Sequence, residues 1–219
     1  RLNELFLAYD IPFDRFQFVS GTTAAENFAR CHYFPDHELL FWRRNSAVPA
    51  LPFHNDKRTR DFTLLSRTHK WWRATVVADL KRNDLLTNSF WSYNTEISVD
   101  QTTETNSIRV DELNLRDYLN EFVRSGPYTC DDLTADQHND HAHVVAEHYT
   151  DSRLNIVLET HFDVDGTDGA FLTEKTFKPI RLRMPFMLVG TRGSLAYLRS
   201  YGFKTFGHIW DESYDTIAD

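Results

Sequence analysis

The stretch that most constrains the fold runs from Leu154 to Gly190: LNIVLETHF, an acidic glycine-containing loop, FLTEKTFKPI, then MPFMLVG. An apolar run, a polar loop, a segment of helical period and a second apolar run read as strand, loop, helix and strand. In the open parallel sheet that such a unit builds, ligands bind outside the carboxyl ends of the strands. Thr173 stands where its hydroxyl can cap the helix, and Glu174 and Lys175 form an ionic pair at the loop-to-helix junction. A helix N-terminus offers unpaired N–H groups and a positive dipole end, both suited to phosphate. Lys175 adds a full charge for a diphosphate, and Glu174 can accept hydrogen bonds from ribose hydroxyls. The segment therefore reads as a nucleoside-diphosphate site, weighed against a solvated ion pair in a first helical turn. Pro179 lies inside the same helix, where it removes a hydrogen bond at a cost of about 3 kcal/mol if the helix is straight. A kink or an irregular start is predicted there.

The rest of the chain repeats the alternation. Strands are predicted over 16–20, 62–66, 88–93, 154–160, 185–190 and 204–206. Helices are predicted over 2–9, 23–33, 70–82, 115–123, 142–149, 193–201 and from 212, with Trp72, Val76 and Leu80 on one face of the third. The pattern indicates an α/β fold with a parallel, doubly wound sheet. Residues 35–60, rich in Pro, Arg and Asn, read as a surface connection. Both ends fall within helical patterns, LNELFLAY and ESYDTIAD, so the chain is expected to be an excerpt of a longer protein.

Of 219 residues, 41% are hydrophobic and 14% aromatic, enough for a substantial core. A net charge of −8 argues against broad electrostatic binding to nucleic acid or an anionic membrane, leaving room for a local basic patch. Cys31 and Cys130 are too few and too far apart for a disulfide framework or a zinc knuckle, and read as thiols in a reducing, cytoplasmic setting. No apolar run approaches the roughly 20 residues that a bilayer span needs. No signal-peptide pattern opens the chain.

A second polar constellation is SRTHKWWR, where Arg67, His69, Lys70 and Arg73 gather positive charge at another strand-to-helix junction. Stabilising a departing diphosphate calls for such charge, and an arginine fork supplies it bidentately. The alternative, an exposed basic helix start, runs against the helix dipole. Glu159, Thr160 and His161 end the LNIVL strand and fit contact with a donor sugar or base, or a strand's ordinary polar exit from the core. Glu159 and His161 are the acid–base candidates there. Asp163, Asp165 and Asp168, with Gly166 and Gly169, depart from the EF-hand loop and read as a flexible lid. His138, His141, His143 and His148 lack HExxH spacing, a cysteine pair and the PCxxC of zinc deaminases, so they read as surface histidines and no metal site is predicted. The helix start at Gly193 offers Arg192 and Ser194 to phosphate or sugar, or simply caps itself.

The run LTEKTFKPIRLRMPFMLVG resembles the donor-binding core of GT-B glycosyltransferases, particularly the alpha-1,3-fucosyltransferase group. That group carries a similar Thr-Glu-Lys turn before a helix, then a proline and a strand ending in glycine. The tail GSLAYLRSYGFKTF and WDESYD is similar to glycosyltransferase-like proteins of phages and other large viruses. The likeness covers residues 60–219 and is strongest from 154 onward. It implies a Rossmann-like, nucleotide-sugar donor-binding domain over 61–219. Before it, residues 1–60 would be the end of an acceptor-side domain and its linker, part of a second Rossmann-like domain. It also implies transfer of a hexosyl or fucosyl group from a nucleoside-diphosphate sugar to a hydroxyl of a glycan or of a glycosylated protein or lipid, inverting and metal-independent. The nucleotide sugar is then a substrate, and no further cofactor is implied. Thr173, Glu174 and Lys175, with Arg67, Lys70 and Arg73, would hold the donor. The general base, a carboxylate or histidine, would come from the acceptor side, and a viral chain would work in the host cytoplasm. Two other classes stay open. One is a viral DNA-base glycosyltransferase, which would use RRNS at 43–46 and HNDKRTR at 54–60. The other is a non-catalytic glycan-binding or structural relative.

Overall fold

The computed structural model describes residues 17–27, 30–36, 58–95, 114–130, 144–162 and 169–217, and positions 8, 9, 39 and 43. Most of the helix predicted at 2–9, most of the 35–60 connection, His138, His141, His143, Asp163, Asp165 and Asp168 lie outside the described residues.

Among the described residues the strands are β1 (Phe18–Ser20), β2 (Cys31–Tyr33), β3 (Arg60–Ser66), β4 (Phe90–Tyr93), β5 (Ser152–Leu158) and β6 (Phe186–Val189). The α-helices among them are α1 (Trp71–Arg82), α2 (Arg116–Ser125), α3 (Ala146–Thr150), α4 (Glu174–Arg181) and α5 (Ser194–Ser200). The main sheet has the order β4-β3-β5-β6 and every pair in it is parallel. The chain is thus mixed α/β, compatible with a Rossmann-like arrangement.

Side chains alternate across the strands, and both faces are buried. Phe62, Leu64, Tyr93 and Leu158 pack with Ala74, Val77 and Ala78 of α1 and Leu119 and Phe122 of α2. On the opposite face Val157, Phe186 and Leu188 pack with Phe177 of α4 and Leu195 and Leu198 of α5. Adjacent residues Val157 and Leu158 serve different cores, as a doubly covered strand requires. From β3 the chain crosses to β4 on one side, and β5 joins β3 on the other. The order therefore reverses between β3 and β5, the topological switch point at which open α/β sheets bind ligands.

Several elements depart from the sequence expectation. The helix predicted over 23–33 is a 3-10 turn, Thr23–Asn27, followed by β2, which pairs parallel to β1. Threonine and serine hydroxyls divert the local donors: Thr22 N–H reaches Ser20 Oγ at 3.4 Å and Ala24 N–H reaches Thr22 Oγ1 at 3.3 Å. Residues 204–206 form no strand. The Phe206 N–H donates instead to Glu212 Oε1 at 2.7 Å, while its ring packs on Phe186 and Trp210. The helix expected from 212 is a single 3-10 turn, Ser213–Thr216. On α1 the buried face is Arg73, Ala74, Val77 and Ala78, with Trp72, Val76 and Leu80 on its flank. Small alanines let α1 sit close to the sheet, so the large residues pack around the contact. His148 is buried at 4% exposure against Phe90, contrary to its reading as a surface histidine. Pro179 is accommodated within α4, whose first turn tightens: both Thr176 N–H and Phe177 N–H point at the Thr173 carbonyl, at 3.1 and 3.4 Å. Among the described residues, no helix is long and apolar enough to cross a membrane.

Candidate functional site

At the switch point the two polar constellations meet. The turn Arg67, Thr68, His69, Lys70 links β3 to α1, and Glu159, Thr160, His161, Phe162 leave β5 beside it. Arg73, on the first turn of α1, is 2% exposed and staples the two together. Its Nε donates to the Glu159 carbonyl at 3.0 Å, Nη2 donates to the same oxygen, and Nη1 donates to the Thr68 carbonyl at 3.3 Å. Burial pulls the Arg73 pKa down, opposed by the charges of Glu159 and Glu174. A guanidinium nonetheless stays protonated in proteins. Arg73 therefore contributes a fixed positive charge from beneath the site, its donors already committed to backbone oxygens. Arg67 is half-buried on the same turn and close enough to oppose the charge of Arg73.

Glu159, read from sequence as an acid–base candidate, is 1% exposed. Its Oε1 accepts the Thr173 N–H at 2.8 Å and the Thr176 hydroxyl at 2.6 Å. Its Oε2 accepts the Thr160 N–H and the Thr173 hydroxyl, both at 2.8 Å. Four donors saturate the carboxylate, which locks the start of α4 to the end of β5 and leaves no lone pair for a substrate proton. Gly190 makes room for this side chain, since a Cβ there would meet Glu159 Cβ at 3.0 Å. The positive end of the α4 dipole is thus already answered by a protein carboxylate. His161 is exposed and stands edge-on to Phe171, with ring centroids 4.8 Å apart.

The cations that face solvent come from the two helices. Lys70, the N-cap residue of α1, donates from Nζ to the Thr160 carbonyl at 2.7 Å. Lys175, in the first turn of α4, donates from Nζ to the Thr160 hydroxyl at 3.2 Å, to the Thr173 hydroxyl at 3.1 Å and to Glu174 Oε1 at 2.9 Å. Two ammonium groups from different helices are therefore held on one residue, and Lys175 is also paired with Glu174. Thr173 caps α4 as its sequence position suggests, accepting from the Lys175 N–H at 3.4 Å. Glu174 is 7% exposed, so the alternative of a solvated ion pair does not describe its carboxylate, which is enclosed.

His69 and Thr160 matter more here than their sequence context indicates. His69 is 6% exposed and its Nδ1 lies 2.9 Å from the Tyr93 hydroxyl. That hydroxyl donates to the Lys70 carbonyl at 3.0 Å and accepts from the Lys70 N–H at 3.3 Å. With the tyrosine proton on the carbonyl, Nδ1 is the donor and the imidazole lone pair sits on Nε2. Burial lowers the His69 pKa and raises that of Tyr93, so both stay neutral at physiological pH.

The start of α5 is capped from within the chain. Asp215 accepts the N–H groups of Leu195 and Ala196 at 3.0 and 3.1 Å, and Ser194 Oγ bonds the Thr191 carbonyl at 2.6 Å. That helix end is satisfied from within the chain, and Arg192 is exposed beside it. Among the described residues, no group of three or more His, Cys, Asp or Glu side chains is arranged to hold a metal ion. Compared with protein-family models, curated proteins and solved structures, the chain matches none.

Proposed function

We propose that this chain binds a nucleoside-diphosphate sugar at the switch point and is the donor-binding part of a glycosyltransferase that moves the sugar to a hydroxyl acceptor. The observation that carries it is the pair of ammonium groups, Lys70 and Lys175, converging on Thr160 in an acidic protein. Like charges are gathered at a cost, and an anion between them recovers it. The likeness of LTEKTFKPI to the donor-binding turn of GT-B glycosyltransferases points the same way and supplies the reaction class.

In this reaction the sugar–phosphate bond breaks as the acceptor oxygen attacks, and negative charge develops on the departing diphosphate. Lys70 and Lys175 neutralise it directly, while Arg73 and Arg67 add field from behind. With that much fixed positive charge, no divalent metal is required for departure. Lys175 exchanges Glu174 for phosphate as the donor enters, and the released carboxylate accepts from the ribose hydroxyls one link away. Displacement inverts the anomeric carbon, with the proton taken by a base from the acceptor side.

Calorimetry with pyrophosphate, UDP, GDP, ADP and CDP, all in EDTA, tests the site. At least one nucleotide is expected to bind, and Lys70→Met and Lys175→Met are each expected to weaken it by about 1.5–3 kcal/mol, the range for a charge-assisted contact. Absence of binding by all five in folded protein would overturn the proposal. Glu174→Gln is expected to shrink the preference for ribose over 2′-deoxyribose nucleotides.

A further inference from the structure

We propose that the outer face of Phe162 seats the base of the nucleotide whose diphosphate lies between Lys70 and Lys175. This rests on the diphosphate reading and deepens it. Phe162 is 46% exposed, unusual for a phenylalanine at a strand end that is otherwise polar. Its inner face is stacked on Trp72, with centroids 5.0 Å apart and planes 20° from parallel. The Trp72 ring is in turn backed by the Arg73 guanidinium, 5.3 Å from its centroid. Arg73 is itself pinned by carbonyls on two segments. The three groups follow one another, from Arg73, which is buried, through Trp72 to Phe162, which is the exposed member.

Such an arrangement is costly to leave wet and is pre-ordered for a flat ligand. An exposed ring whose inner face is already fixed loses little freedom when a second ring covers it. The cation behind Trp72 polarises the rings at no further expense. Position limits what the ligand is. Phe162 follows Thr160 by two residues, at most about 7 Å of chain. A ring stacked there is separated from the lysines by a gap of the order of a ribose and one phosphate. A planar heterocycle joined to a diphosphate meets both features, whereas pyrophosphate meets the lysines alone. Stacking is tolerant of base identity because every base has a π-face. Selection among bases then falls to groups other than Phe162.

Isothermal titration in EDTA of wild type, Phe162→Leu and Phe162→Tyr against pyrophosphate and against the tightest of UDP, GDP, ADP and CDP tests this. Wild type is expected to bind the nucleotide roughly tenfold or more tighter than pyrophosphate, in the range of one base–aromatic stack. Phe162→Leu is expected to lose most of that advantage while keeping pyrophosphate affinity, which also shows the variant to be folded. Phe162→Tyr keeps the ring and is expected to retain the advantage. Equal nucleotide affinity in wild type and Phe162→Leu would overturn the stacking proposal and leave the diphosphate site standing. Failure of wild type to bind either compound would overturn the diphosphate site, and the base seat with it.

Discussion

A carboxylate at the end of a central strand invites a catalytic reading, and the surroundings of Glu159 argue for another. Both oxygens are filled by donors of Thr160, Thr173 and Thr176, and the group is buried. Glu159→Gln sets an amide against some of those donors and leaves a buried mismatch. A loss of about 1–3 kcal/mol in urea unfolding is expected. An unchanged unfolding midpoint would return Glu159 to the acid–base candidates. His69 gives a pH signature. Its folded-state pKa is lowered by burial, so the unfolded chain binds the proton more readily. Stability from this group is fully present above the unfolded pKa, roughly 6.5, and is lost as pH falls below that value towards the folded pKa. The groups facing it are Tyr93, Trp71 and Lys70, with Arg73 and Arg67 on the same turn. Melting curves of wild type and His69→Gln between pH 7.5 and about 5 should converge as the pH falls. Parallel curves would mean that the folded and unfolded chains hold the His69 proton equally, so that burial does not lower its pKa.

Elements are tied to one another here by side chains that cap from a distance. The tail WDESYD has a structural role: Asp215 closes α5, and Glu212 takes the Phe206 N–H, the Thr205 hydroxyl and Arg199. Asp215→Ala is expected to cost about 1 kcal/mol, within the range of a lost helix cap. Nucleotide affinity should not change; a loss of affinity without a loss of stability would place α5 at the ligand after all. The strands of the main sheet were legible as apolar runs, and the α4 cap as a threonine before Glu-Lys. Residues 23–33 were not, because hydroxyl-to-backbone bonds outweigh helical propensity there. The site was legible only in halves. Lys70 meets Thr160 across 90 positions, and Arg73 meets Glu159 across 86. No local pattern in the sequence reveals such a pairing. The structural role of Glu159 was hidden for the same reason, since its partners at the start of α4 are 14 and 17 positions away.

At the scale of the whole molecule, a chain of net charge −8 keeps cations where its sheet reverses order. Lys70 belongs to the β3–α1 unit and Lys175 to the β5–α4 unit, so an anion between them bridges two crossovers on opposite faces of the sheet. Binding should therefore stabilise the fold as a unit rather than one helix. A ligand that binds only the native state adds about 2.7 kcal/mol at a hundredfold excess over Kd. For a chain of this size, that gain corresponds to a rise of roughly 5–10 °C in Tm. The rise should shrink when sodium chloride is raised towards about 1 M, where the Debye length falls to roughly 3 Å. Lys70→Met and Lys175→Met should each diminish it, and the double variant should abolish it. The free protein bears on the same question. If the two ammonium groups repel in the empty site, Lys70→Met should leave its Tm unchanged or slightly raised, whereas Lys175→Met also strips the enclosed Glu174 of its ion pair and should lower it. A clear fall in the free-protein Tm for both, with the ligand-induced rise intact, would show that the lysines serve to hold Thr160 and that the anion, if bound, sits elsewhere.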